Sequence, residues 1–335
     1  MYVLGIESSC DETAAAVVEG ADRVLSSVIA SQVAAHRPYG GVVPELASRM
    51  HVEAIVPVVT TAIQEAGIAV DDIQGVAATQ GPGLVGALLV GFSFAKAFAW
   101  ARNLPLAGVN HLEAHIHSLR LCRPAPEFPF IALVVSGGHT NIYHVRSDNR
   151  FDLMGQTRDD AAGEAFDKVA KTLGLGYPGG PVIEAMAKNS DPGHITFPRS
   201  LLEKGSFDFS FSGLKSAVAR YVHDHPLQND QDRARVAAAF QAAVIDVVCE
   251  KLLAAARFRH CRQIGISGGV SANQTLVTAL TRRAARHQIR VIAPPLSLCG
   301  DNAAMVAARG AVMIRDGQTC GLEDDVFSRA LHLSA

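Results

Sequence analysis

Cysteine is scarce in this sequence and forms no pattern. The six residues, at positions 10, 122, 249, 261, 299 and 320, make no CxxC pair and no disulfide framework, so a reducing cytoplasm is the expected compartment. Aromatic residues make up only 6% of the chain. Ala, Val, Leu and Ile must therefore build its cores, which suits helices laid on buried sheets. Charge of one sign is also lacking: the formal net charge of −2 gives no global attraction to a polyanion, and any nucleic-acid contact must come from a local patch or a second protein. The opening MYVLGIESSC has no basic region ahead of a long apolar run and reads as a first strand, not a secretory signal. The longest apolar stretch, Leu84 to Trp100, is broken by Gly86, Gly91, Ser93 and Lys96. It is expected to be a buried helix, with no membrane span. No GxxxxGK[ST] occurs, which excludes the P-loop class.

What is present is material for two domains. The chain has 335 residues, 49% hydrophobic and 19% charged, so large cores are possible and bulk disorder is not expected. Strands are predicted near 2–8, 14–19 and 24–30, a helix near 44–67, a strand near 74–80, a helix near 83–102, a strand near 106–109 and a helix from about 111. After the break Arg123-Pro124-Ala125-Pro126 the order restarts. Strands are predicted near 130–135, 140–145 and 151–156, then helices near 162–173 and 230–257. A strand near 262–267, a helix near 271–286, a strand near 289–293 and a helix near 301–315 complete it. Each half reads βββαβαβα, and three strands opening each half is not the usual dinucleotide-fold alternation. Ligands of such sheets bind at strand C-terminal ends. Residues 189–212 lack a period and read as an insertion.

Small-residue turns follow strands at Glu7-Ser8-Ser9-Cys10-Asp11-Glu12-Thr13, at Ser136-Gly137-Gly138-His139-Thr140 and at Ser267-Gly268-Gly269. Ser-Gly-Gly lets backbone amides approach a phosphate closely. One such turn would be ordinary; three, two of them opening corresponding places in the halves, favour a nucleotide site. Gly81-Pro82-Gly83-Leu84-Val85-Gly86 matches GxGxxG, but it follows the fourth strand and lacks the downstream acidic residue. These glycines are expected to serve close helix–sheet packing and not a nicotinamide. The sharpest local signal is His111-Leu-Glu-Ala-His115, two histidines four apart on one helical face, as one metal ion requires. It is not HExxH, because Glu113 does not adjoin the first histidine, so the base of a zinc protease would be misplaced. Asp301, opening the last helix in the second half, is the candidate third ligand, while His117 should point away from the pair. Arg257, Arg259, Arg262, Arg282, Arg283, Arg286 and Arg290 cluster in sequence, as a solvated surface or as an RNA phosphate contact.

Together the motifs GIESSCDET (5–13), GGVVPELASR (40–49), GPGLVGALLVG (81–91), NHLEAH (110–115), LVVSGGHT (133–140), DDAAGEAFDKVAKTLGLGYPGGP (159–181), FSFSGLK (209–215) and SGGVSAN (267–273) resemble the tRNA N(6)-adenosine threonylcarbamoyltransferase family of bacterial TsaD type. Members were once labelled O-sialoglycoprotein endopeptidases, which the absent HExxH base argues against. The resemblance implies a duplicated actin-like ATPase (actin/sugar kinase) α/β fold with two facing domains and a central cleft. Residues 1–125, completed by the C-terminal helix region of about 302–335, would form the first domain, and 126–301 the second. It implies transfer of a threonylcarbamoyl group from threonylcarbamoyl-AMP to tRNA adenosine, with one divalent metal ion, iron ahead of zinc, on His111, His115 and Asp301. By the same match Val134, Val135, Ser136, Gly137, Gly138, Asp167, Gly180 and Asn273 line the adenylate site. Implied partners are tRNA, a degenerate TsaB-type copy of the fold and a small TsaE-type ATPase. Asp11 is the expected catalytic residue, orienting or deprotonating the attacking amine. Glu184, where some relatives carry aspartate, is left outside the expected site. The family's Cys-Thr-Asp-Asn turn is Cys299-Gly300-Asp301-Asn302 here, and glycine should loosen it. A kinase of small molecules and a non-catalytic scaffold share the fold; a histidine pair suits magnesium poorly, and a scaffold copy would be expected to lack it.

Overall fold

A computed structural model describes residues 1–200 and 205–328. Part of the expected insertion, 201–204, and the end of the expected C-terminal helix region, 329–335, lie outside the described residues. The chain forms two compact units, Met1–Ala125 with the segment from Pro294 onward, and Pro126–Ala293.

In the first unit, β1 (Tyr2–Glu7), β2 (Glu12–Glu19) and β3 (Arg23–Ser31) make an antiparallel meander. A short helix α1 (Val33–His36) and the long α2 (Pro44–Ala66) follow. Then come β4 (Gly75–Gly81), α3 (Val85–Arg102), β5 (Leu106–Asn110) and α4 (His111–Ser118). The sheet order is β3-β2-β1-β4-β5, with β4 and β5 parallel to β1.

Successive side chains of a strand face opposite ways, and this sheet is apolar on both faces. Leu4, Ile6, Ala15 and Val17 meet Ile55 and Val58 of α2 and Phe92 and Ala95 of α3. Val3, Val18, Ala77 and Ala107 meet Met305, Val306, Ala307 and Ala311, all on α10 (Ala303–Arg315). That second face is built of small residues, so α10 lies almost on the sheet backbone. A Cβ at Gly5 would stand 2.4 Å from the Ala303 carbonyl oxygen, and one at Gly310 would stand 2.1 Å from Ala77 Cβ. The scarcity of aromatics thus has a structural use: a thin interface brings the N-terminus of α10 close to the end of β1.

The second unit repeats the topology. Strands β6 (Phe130–Val135), β7 (Thr140–Ser147) and β8 (Arg150–Gln156) are antiparallel. Helices α5 (Ala162–Thr172), α6 (Gly179–Ala187), α7 (Ser212–Asp224) and α8 (Asp230–Phe258) come next. They are followed by β9 (Gln263–Ser267), α9 (Gln274–Ala285) and β10 (Arg290–Ile292). The order β10-β9-β6-β7-β8 is that of the first sheet read backwards. Phe166 of α5 and Phe240 of α8 meet edge-on at 5.1 Å in its core.

Three expectations change. Helices α6 and α7 were not predicted, because the first opens on Pro178-Gly179-Gly180 and the second on Ser212-Gly213, both turn-like in composition. The expected buried helix, α3, is buried on one side only. Val85, Leu89 and Trp100 are exposed, as are Val52 and Val56 of α2. By length and composition α2 and α3 could each cross a membrane, yet their inner faces are part of the first core. Finally, Asp301 does not belong with the second half. The chain rejoins the first unit at Pro294, where Leu298, Ala303, Ala304 and Ala308 pack on Ala14 and Ala16.

Candidate functional site

The histidine pair is placed by a strand running straight into a helix. Asn110 ends β5 and caps α4, its Oδ1 accepting from Leu112 N at 2.9 Å and Glu113 N at 3.3 Å. This is the ordinary work of an N-cap asparagine, and it sets His111 on the first helical turn with His115 one turn later. Both imidazoles are buried, with ring centroids 4.7 Å apart. Asp301 arrives from the other side on the lead-in to α10. Its Oδ1 lies 3.1 Å from His115 Nε2 and 3.7 Å from His111 Nε2. One ligand atom from each residue falls within 4.8 Å of the others. Two imidazole nitrogens and one carboxylate oxygen converging in this way fit a divalent transition ion better than Mg²⁺, which prefers oxygen.

The turn before Asp301 is held, contrary to the looseness expected from Gly300. Asn302 caps α10 by accepting from Met305 N at 3.0 Å and donates to the Gly300 carbonyl at 2.9 Å. The Cys299 thiol donates to the Pro294 and Pro295 carbonyls. Nothing lies within 4 Å of a Cβ built at Gly300, so a side chain would fit there.

Sequence reasoning placed Glu7 in a turn but gave it no role. It is fully buried. Its Oε2 accepts from Thr79 Oγ1 at 2.7 Å and lies 3.1 Å from His111 Nδ1, and its Oε1 accepts from Ser9 N at 2.6 Å. Burial alone would raise this carboxyl, but the adjacent His111 holds it below its ordinary value. For His111, burial works against the charge, yet the Asp301 and Glu7 carboxylates raise the imidazole to about 9. The signal that could have found Glu7 was its position: an acidic residue closing an otherwise apolar strand.

Asp11 is also buried and sits in the same β1–β2 turn. Beside it, Glu12 is pushed up by burial and by the charges of Asp301 and Asp11, which puts all three carboxylates in one field. His51 of α2 braces the turn, its Nε2 donating to the Cys10 carbonyl at 3.0 Å and its Nδ1 lying 2.7 Å from Thr13 Oγ1. His117 does turn away from the pair. Its Nδ1 lies 3.1 Å from the Glu113 carbonyl, and burial followed by the Arg309 charge pushes it down to about 3. The half-buried Glu113 accepts from Nε of the buried Arg309 at 2.7 Å. Glu113 therefore ties α4 to α10 and is no protease base.

Gly83 and Gly86 are packing residues, against the β1–β2 turn and helix α2 and not against the sheet as expected. A Cβ on Gly83 would meet the Ser9 carbonyl oxygen at 2.6 Å, and one on Gly86 would meet Ser48 Oγ at 2.4 Å.

In the second unit Val134–Gly138 run out of β6, Asn273 follows its parallel neighbour β9, Asp167 lies on α5 and Gly180 in the first turn of α6. Val134 and Val135 are fully buried in β6, so only the following Ser136–Gly138 turn is available to a ligand. That turn is closed by Ser136 N donating to the His139 carbonyl at 2.8 Å. Gly268, at φ +92°, would drive a Cβ to 2.4 Å from the Val135 carbonyl oxygen, so glycine is required there. Asp167 Oδ1 accepts from Gly179 N at 2.6 Å, next to Gly180. Asn273 caps α9 through Leu276 N at 2.8 Å and donates to Gln241 Oε1 at 2.9 Å, while its main-chain N–H donates to the Val270 carbonyl and its carbonyl accepts from Val277 N, both at 3.1 Å. Glu184 Oε1 accepts from Thr275 N and Oγ1, a tie between α6 and α9. The arginine cluster lies at the opposite end of this sheet, where α8 and α9 finish and β9 and β10 begin; Arg283 is paired with Asp246.

A duplicated α/β fold with a His–His–Asp centre on one unit and glycine turns at the sheet end of the other defines an actin-like ATPase fold protein equipped with a candidate metal centre. Solved structures agree on the fold. HypF from T. kodakarensis matches with a TM-score of 0.64 at 13% identity, covering 94% of this chain and 48% of that one. The (R)-2-hydroxyglutaryl-CoA dehydratase component A of Acidaminococcus fermentans matches at 0.58 and 13% identity, covering 94% and 99%. In sequence, the profile of the family described as TsaD: tRNA N6-adenosine threonylcarbamoyltransferase matches residues 23–308. Proteins of that name from Desulforapulum autotrophicum and Syntrophus aciditrophicus are 63% and 53% identical. The first alignment covers 99% of this chain and 100% of the relative, the second 98% and 97%. This chain belongs to the tRNA N6-adenosine threonylcarbamoyltransferase family, a family of tRNA-modifying transferases.

Proposed function

We propose that this chain transfers the threonylcarbamoyl group of threonylcarbamoyl-AMP to the N6 amine of the adenosine 3′ of the anticodon, in tRNAs reading codons that begin with adenine. The observation that carries this reading is the convergence of His111, His115 and Asp301 in a chain alike over its whole length to transferases of that name. In the reaction the amine nitrogen bonds to the carbamoyl carbon, the carbon–oxygen bond of the mixed anhydride breaks, and AMP leaves with the electron pair. Asp11, buried at the turn beside Asp301, takes the amine proton or orients the amine. The Ser136–Gly138 and Gly268–Gly269 turns present main-chain amides to the leaving phosphate. His111, His115 and Asp301 would hold one divalent ion, iron ahead of zinc, which when bound supplies Lewis-acid polarisation of the acyl centre. A mixed anhydride is already activated, so positioning accounts for much of the acceleration.

The apolar side chains exposed on α2 and α3, Val52, Val56, Val85 and Leu89, support docking of a TsaB-type copy of the fold. A TsaE-type ATPase would complete the assembly, working in the cytoplasm. The test is reconstitution with tRNA, threonylcarbamoyl-AMP and those partners, read by mass spectrometry of tRNA nucleosides. The modified nucleoside should form with the parent chain, and Asp11→Asn should slow it by roughly 10²–10⁴-fold, the usual worth of a positioned base. No product from the complete mixture defeats the transferase reading, and phosphoryl transfer to a small acceptor would favour the kinase. Parent-like turnover by Asp11→Asn removes its role alone.

A further inference from the structure

We propose that Glu7 is the positioning residue of the candidate metal centre: its carboxylate fixes the His111 ring with Nδ1 protonated and so turns Nε2 toward the ion. The inference rests on reading His111, His115 and Asp301 as ligands, and goes beyond that set of three.

Strand periodicity sets the geometry. Val3 and Gly5 face α10 while Leu4 and Ile6 face α2 and α3, so Glu7, two residues beyond Gly5, points to the side where α4 and Asp301 stand. A carboxylate with no exposed surface is costly unless fully partnered. Glu7 has three partners: the Thr79 hydroxyl, the Ser9 amide and His111 Nδ1. The first two are fixed donors from strand β4 and from Glu7's own turn, so the carboxylate is anchored before His111 is considered. An anchored acceptor 3.1 Å from Nδ1 requires the proton on that nitrogen. Nε2, the nitrogen facing the Asp301 oxygen shared with His115, is then the one that gives up its proton to ligate the ion. A carboxylate behind a ligating histidine raises its basicity and fixes its orientation.

The two histidines differ in this respect. His115 Nδ1 is buried with no hydrogen-bond partner among the described residues, so only His111 carries such a support. A simpler reading is that Glu7 serves folding alone, as the partner of a buried histidine. The two readings separate by experiment, since a folding role moves stability and leaves the affinity of the folded protein alone.

The experiment is Co²⁺ affinity of the purified full chain, with Co²⁺ as the visible-absorbance probe against a competing chelator, for the parent and Glu7→Gln. Circular dichroism checks the fold, and ¹⁵N NMR of the histidine rings in metal-free protein above about pH 9, where His111 is neutral, reads the tautomer. Glu7→Gln should bind about 10–100-fold more weakly and lose the Nδ1–H preference of His111. In the background of His111→Ala the same change should have no further effect, because the two act through one ring. Equal affinity in parent and Glu7→Gln overturns the inference and leaves the three ligands standing. Failure of the parent chain to bind Co²⁺ sinks both. Should Glu7→Gln fail to fold, Thr79→Val removes one anchor and keeps the carboxylate: weaker Co²⁺ binding supports the proposal, and parent-like binding defeats it.

Discussion

The two units share a strand order and differ in what they bury. The first holds Glu7, Asp11, His51, His111, His115, His117 and Arg309 in its interior, concentrated where β1, β5 and the lead-in to α10 meet. The second surrounds its sheet with one large apolar core, and its functional end is glycine backbone, with few ionisable side chains buried. A duplicated topology therefore does not duplicate chemistry. The first copy gathers buried imidazoles and carboxylates after β1 and β5, and the second places glycine turns after β6 and β9, the counterparts of β1 and β4.

This contrast can be broken one unit at a time. The largest effect is expected from Gly268→Val. A side chain there meets both a positive φ and the Val135 carbonyl, costing about 1–3 kcal/mol in backbone strain alone. It should abolish adenylate binding, read by calorimetry with AMP, while Co²⁺ binding by the first unit persists. Loss of both together would mean that the units do not divide the work. The converse change, Gly5→Ala, pushes a methyl against the Ala303 carbonyl and the Ala307 amide. Overpacking of this kind costs about 1–3 kcal/mol and displaces α10, so Co²⁺ should bind more weakly with AMP affinity unchanged.

The smallest effect is a difference in acid response. His117 is held down to about 3 from an ordinary 6.5. Between those values the unfolded chain binds a proton that the folded chain refuses. Its contribution is fully present above pH 6.5 and is lost as the pH falls toward 3. In the second unit, burial would raise Asp159, but the hydroxyls of Ser210 and Ser212 lower it below its ordinary 3.8, so its contribution disappears only in stronger acid. Hydrogen exchange between pH 6.5 and 4 should show the first unit loosening before the second, and His117→Asn should flatten the difference. Loosening that begins in the second unit would contradict it.

The sequence was most legible where periodicity and chemistry coincide. The β-branched runs of β1 to β10 and the long helices α2, α3 and α8 are local patterns. So is Asn110-His111-Leu-Glu-Ala-His115, in which the cap and the ligand spacing are contiguous. Asp301 was legible as a residue but misplaced, because its unit is decided by the small-residue face of a distant sheet. Glu7 and Arg309 were illegible in role for the same reason: each gains its meaning from a partner about a hundred or more positions away. The short helices α6 and α7 were hidden by glycines at their first turns.

The lateness of α10 in the chain has a consequence for biosynthesis. Asp301 meets His115 across 186 positions, and the helix it precedes covers the face of Val3, Val18, Ala77 and Ala107. At ribosomal speeds of about 5–20 residues per second, both histidines emerge well before the carboxylate that joins them. A nascent or truncated chain ending before Pro294 has a finished second unit, an uncovered first sheet and two imidazoles without their third donor. If His111, His115 and Asp301 hold an ion as proposed, its capture coincides with closure of the first unit, and a bound ion reports that the polypeptide has been synthesised through α10.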